Sequence, residues 1–124
     1  MKLAIIGSRS INFLNLDDYI SEKPSVIISG GAIGIDTIAE EWALKNNIRI
    51  IIHRPDYITH KKKAAWRRND IIVDEADKIL TLWDGESTGT KYVIDRAIRQ
   101  KKSIEIIFIS SQHNIDIAPK KSDL

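Results

Sequence analysis

Five short apolar runs, spaced along 124 residues, constrain this chain more than any other feature. They are Lys2–Ile6 (KLAII), Ser25–Ser29 (SVIIS), Ile48–Ile52 (IRIII), Lys78–Leu82 (KILTL) and a last run holding Glu105–Ile109. Each is continuously apolar rather than alternating, the pattern of a strand buried on both faces. Segments of helical periodicity lie between them. Ile35, Ile38, Ala39, Trp42 and Ala43 recur at helical spacing over Ile35 to Asn46, and further helices are predicted over Lys61 to Glu75 and Lys91 to Arg99. Asn15 to Ser21 reads as a short helix with Leu16, Tyr19 and Ile20 inward. Strand and helix in alternation predict an α/β fold of three layers around a mainly parallel five-stranded sheet. Right-handed crossovers and one reversal of winding give the order 3-2-1-4-5, with strands one and four adjacent at the switch point.

Ligands of such sheets bind beyond the carboxyl ends of the strands, where the reversal opens a crevice. Three strands end there in glycine-containing turns: Gly7-Ser8-Arg9-Ser10, Gly30-Gly31-Ala32-Ile33-Gly34, and Trp83-Asp84-Gly85 through Ser87 to Gly89-Thr90. Turns without Cβ atoms let peptide N–H groups approach an external oxygen. The helix following the last of these turns adds a partial positive charge. Such turns suit a phosphate, although the last also reads as a plain strand-to-helix connection capped by Ser87, Thr88 or Thr90. The acidic residues qualify this. Asp36, Asp84 and Glu86 would repel an anion, so the site reads as mixed, with donors for an anion and acceptors for hydroxyls. A nucleotide offers both.

Arg68 is the anomaly. At about 100° per residue it falls inside the arc of Ala64, Ala65, Ile71 and Ile72, where a guanidinium needs an anionic partner or a route to open space. Glu75, two turns on, is one candidate partner. The other reading sends Arg68 into the crevice to hold a phosphate or carboxylate. Arg67 points outward. Asp95 and Arg99 have the spacing of an exposed pair. Trp42 reads as core, while Trp66 and Trp83 are the aromatics able to border a base.

With no cysteine, disulfides and thiol chemistry are excluded, and His53, His60 and His113 lack metal-ligand spacing, so no metal is expected. A net charge of +2 demands neither nucleic acid nor a membrane, and no apolar stretch reaches spanning length. A cytoplasmic protein is the expectation. Residues 110–124 read as a polar tail, in which Ile115 and Ile117 could add an edge strand.

Taken in order, Gly7-Ser8-Arg9-Ser10, Gly30 through Asp36, Arg68-Asn69 and Trp83-Asp84-Gly85 through Gly89-Thr90 resemble the SLOG superfamily. This is the Rossmann-like group that includes DprA and the LOG-type phosphoribohydrolases. The likeness spans residues 1–109 and is nearest the small YspA-like branch. It implies a nucleotide or nucleotide-derived ligand at the carboxyl edge, bound by those turns together with Arg68 and Asn69. It also implies a sensor or processing component in phage or mobile-element conflict. No cofactor follows from it, and members commonly pair as homodimers. LOG enzymes cleave an N-glycosidic bond with an arginine and a glutamate. Arg68 resembles the arginine, but the glutamate position is Val93. A phosphoribohydrolase would therefore draw its carboxylate from Asp36, Asp95 or Glu40. A third reading, by analogy with DprA, is single-stranded DNA bound on the Lys61–Arg68 face.

Overall fold

The computed structural model describes residues 1–110; residues 111–124 of the expected tail, with its two isoleucines, lie outside the described residues. Strands β1 (Lys2–Gly7), β2 (Val26–Ser29), β3 (Arg49–Ile52), β4 (Lys78–Trp83) and β5 (Ser103–Phe108) form one sheet ordered β3-β2-β1-β4-β5. Every pairing is parallel, and β1 meets β4 in the register Ile5↔Leu80, Gly7↔Leu82. The predicted order and its switch point are both present.

The sheet buries two faces. On one, Leu3, Ile5, Ile27, Leu80 and Leu82 pack against Ile35, Ala39 and Ala43 of helix α1 (Ile35–Lys45). On the other, Ala4, Ile6, Ile28 and Ile79 pack against Ile72 and Val73 of α3 (Ala64–Glu75) and Val93 and Ala97 of α4 (Thr88–Arg99). The central strands β1, β2 and β4 must be apolar on alternate residues of both sides, which is why their sequences show no period of two.

Three local expectations are corrected. The segment Asn15 to Ser21 makes only a 3-10 turn, Leu16–Asp18, whose N-cap Asn15 accepts from Asp17 N (3.1 Å). Leu16 is nonetheless buried, with Tyr19 and Ile20 packed against the α1-side core. The helix expected from Lys61 is broken: a single turn α2 (Tyr57–His60), capped by Asp56 accepting from Thr59 N (3.1 Å), is followed by a 3-10 turn Lys61–Lys63. Lys61 at φ 52° interrupts the path, so α3 begins at Ala64. The last helix begins at Thr88, three residues before Lys91, because Ser87 serves as its N-cap and accepts from Thr90 N (3.3 Å).

Candidate functional site

At the carboxyl edge, the turns after β1, β2 and β4 and the first turns of α3 and α4 enclose a cleft of about 490 Å3. This lies within the range of small-molecule sites, about 300–1,000 Å3. Its floor is the β1–β4 switch point, reached through Ile6 and Gly7. Arg9 and Ser10 border it from the β1 turn, Gly30 and Ala32 from the β2 turn.

Arg68 spans from α3 to the β2 turn. One of its terminal nitrogens donates to Gly30 O and, at 3.4 Å, to His53 O, while Nε donates to Asn69 Oδ1 at 2.8 Å. A Cβ on residue 30 would lie 2.5 Å from that guanidinium nitrogen, so glycine is what admits the arginine. Of the two accounts of Arg68, the ion pair fails: Glu75 instead meets His53 Nε2 at 2.6 Å. The other terminal nitrogen, Nη2, donates to no group among the described residues, and the side chain lines the cleft. The apolar arc of α3 is also rotated from expectation, since Ile71 is half exposed and Val73 and Asn69 are buried in its place.

Asp36 lies close by, next to the same Gly30, in the first turn of α1 and only 7% exposed. Its Oδ2 accepts from Ala32 N at 3.0 Å. Burial raises its pKa, against the pull of that hydrogen bond and of Arg68 and Arg9 nearby. Burial likewise lowers that of Arg68, and Asp36 opposes the shift. The cleft thus carries a partly desolvated cation and a partly desolvated carboxylate, side by side without a direct bridge. In such surroundings each acts on a ligand more strongly than it would in water.

The β4 turn is held by its own acid. Asp84 Oδ1 accepts from Glu86 N (2.8 Å) and Ser87 N (2.9 Å), Oδ2 accepts from Ser10 Oγ (2.8 Å), and Ser8 Oγ accepts from Asp84 N (3.0 Å). These bonds carry the Asp84 pKa down to about 2 even though burial works against them. Two N–H groups expected to face a ligand are therefore taken by Asp84, and Thr90 N is taken by Ser87. Thr88 N and Gly89 N, the first two of α4, donate to no group among the described residues, and both residues line the cleft. A folded-state pKa below the unfolded one stabilises above the unfolded pKa and loses that contribution as pH falls. Asp84→Asn keeps the Oδ1 acceptor, so the stability difference between wild type and Asp84→Asn is expected to be constant above pH 5 and to vanish from about pH 4 to about 2. Urea melts across that range check it; a difference independent of pH would remove the charge from the account.

The remaining expected residues sit elsewhere. Ser8 is buried beneath the β4 turn, Gly31 lies against Arg54, and Gly34 packs on the Ser8–Arg9 backbone. Gly85 faces Phe108, and Trp83 Nε1 donates to Ser87 O (3.1 Å), so both shape the loop without bordering the cleft. Asp95 is outside it as well, on the surface of α4 and paired with Lys91 (2.9 Å) rather than Arg99. Val93 is fully buried in the core. Ala65 and Thr88, not singled out as ligand contacts, do line the cleft, their signal being proximity to Arg68 and Gly89; of the two aromatics able to border a base, Trp66 lines the cleft and Trp83 does not. Among the described residues no three acidic or histidine side chains could hold a metal ion, and no helix is long and apolar enough to cross a membrane.

A family model described as the YspA, cpYpsA-related SLOG family (YAcAr) matches residues 1–60, the half that contributes Arg9, Gly30 and Asp36. The chain belongs to the SLOG superfamily, in its YspA-like branch. The gene 61 protein of Mycobacterium phage D29 is similar over 100 residues at 36% identity, covering 74% of this chain and 78% of the relative. No solved structure gives a significant match. SLOG membership points to a nucleotide-related ligand as the general class.

Proposed function

We propose that this SLOG domain binds a nucleotide or nucleotide-derived ligand (a nucleoside phosphate, ADP-ribose or an NAD-like compound) in the carboxyl-edge cleft. The observation that carries the reading is that the Arg68 guanidinium and the buried Asp36 carboxylate, neighbours beside Gly30, line the same cleft of about 490 Å3. A guanidinium grips a phosphate and a buried carboxylate accepts from sugar hydroxyls; few ligands but sugar phosphates ask for both. Arg9 and the open N–H groups of Thr88 and Gly89 add to the cationic side. The relative is a phage protein, which is compatible with a mobile-element setting, and in that setting the domain would serve as a sensor or processing component. A cysteine-free chain binding nucleotides suits the cytosol.

A thermal-shift screen of nucleoside monophosphates, ADP-ribose and NAD tests this. Ligand at a hundredfold its Kd stabilises by about 2.7 kcal/mol, raising Tm by roughly 10 °C in a domain of this size. No shift with any of them would reject the reading.

The buried Asp36 favours one second reading, hydrolysis of the N-glycosidic bond, with Asp36 in place of the carboxylate that Val93 cannot supply. Incubating nucleoside monophosphates at high protein concentration distinguishes the two. Binding alone leaves them intact; free base would transfer the assignment to hydrolysis.

A further inference from the structure

Trp66 leaves α3 two residues before Arg68, so the two side chains depart about 200° apart around the helix. Arg68 crosses to the β2 turn, whereas Trp66 turns toward α4, and both line the cleft. The indole rests on Tyr92, with ring centroids 4.5 Å apart and planes tilted by 54°. Tyr92 is itself fixed, its hydroxyl donating to Asp70 Oδ1 at 2.7 Å, and Asp70 in turn meets Arg96 at 3.4 Å. This clamp between α3 and α4 holds a tryptophan 39% exposed at the lip of a polar cleft, where burial would be the more stable place for it. An indole braced on Tyr92 and held half open at the cleft that Arg68 also lines offers an aromatic face.

We infer that Trp66 is the platform on which the ligand's nucleobase stacks, with Tyr92 as the positioning residue behind it. This rests on the ligand reading above and goes beyond it, because Arg68 and Asp36 account for phosphate and sugar but leave the base unassigned. A flat π-face is the chemistry a base requires and a sugar phosphate does not. Every base has such a face, so the platform confers affinity for nucleotides as a class rather than for one base.

The test compares AMP, GMP and UMP with ribose 5-phosphate, which carries the anion and sugar but no base. Titration calorimetry is run on wild type, Trp66→Ala and Trp66→Phe. Wild type is expected to bind the nucleotides more tightly than ribose 5-phosphate. Trp66→Ala weakens nucleotide binding about 5- to 150-fold and leaves ribose 5-phosphate unchanged. Trp66→Phe, which keeps an aromatic face and the packing on Tyr92, recovers most of the loss. Nucleotides also quench the tryptophan emission of wild type but not of Trp66→Phe, in which Trp42 and Trp83 still fluoresce. Equal loss of nucleotide and ribose 5-phosphate affinity in Trp66→Ala, or no loss, would overturn the platform while leaving the sugar-phosphate site standing. Failure of every probe to bind wild type would remove both.

Discussion

Arg68→Ala is expected to abolish the nucleotide-induced rise in Tm. The guanidinium is partly desolvated, lines the cleft and keeps Nη2 without an acceptor among the described residues, so a phosphate placed there forms a charge-assisted contact with little competition from water. Truncating one partner of such a pair costs about 2–5 kcal/mol, a loss of about 30-fold to several thousandfold in affinity. The cost to the unliganded protein is smaller. Gly30 O, His53 O and Asn69 Oδ1 lose a donor, but Gly30 and Asn69 border a cleft that water can enter, so about 1 kcal/mol of stability is expected to go. Arg68→Lys keeps the charge without the planar fork that reaches Gly30 O and the ligand together, and is expected to recover only part of the binding. The measurement is thermal shift with and without nucleotide on all three proteins. A full ligand shift in Arg68→Ala would reduce the residue to a brace between α3 and the β2 turn.

The sheet and its order were legible in the sequence because both follow from short-range pattern. Continuous apolar runs can be buried only on two sides, and a single reversal of winding then fixes which strands meet. Arg68 was legible for the opposite reason. It breaks the pattern of its own helix, and a charge on a buried arc must be satisfied by something beyond the helix. What escaped were long-range choices among equivalent partners. The spacing that suggested Asp95–Arg99 applies equally to Lys91–Asp95, and the latter forms. Glu75 could be assigned to Arg68 by helical geometry alone, since nothing local announces His53, which arrives from the end of β3. Asp84 read as a repulsive charge at a phosphate turn. Its role as the staple of that turn depends on Ser10, 74 residues away in sequence. Helix starts were misplaced at Lys61 and Lys91 because periodicity reports the apolar stripe, whereas Lys61's positive φ and Ser87's capping hydroxyl decide where the stripe begins.

Gly34→Ala is expected to damage the fold far more than Arg68→Ala does. Gly34 caps α1 at φ 80°, ψ −129°, a conformation that side chains with a Cβ reach only under strain of about 1–3 kcal/mol. Space is lacking as well. An added Cβ would stand 2.7 Å from Arg9 Cα, Arg9 O and Ser8 O. These are backbone atoms, unable to swing aside as a side-chain tip would, and Ser8 N is tied to Leu82 O at 3.1 Å in the sheet. Relief requires moving the β1 turn or the start of α1, and overpacking of this kind adds about 1–3 kcal/mol. The sum, about 2–6 kcal/mol, is a large part of the 5–15 kcal/mol that holds a typical domain together. Urea denaturation should show the midpoint falling with little change in slope. Because Arg9 and Asp36 flank the displaced contact, whatever fraction remains folded should also lose nucleotide affinity. A Gly34→Ala protein as stable as wild type would mean that the β1 turn yields freely, and the close packing of that turn on α1 would then have no part in fixing the cleft.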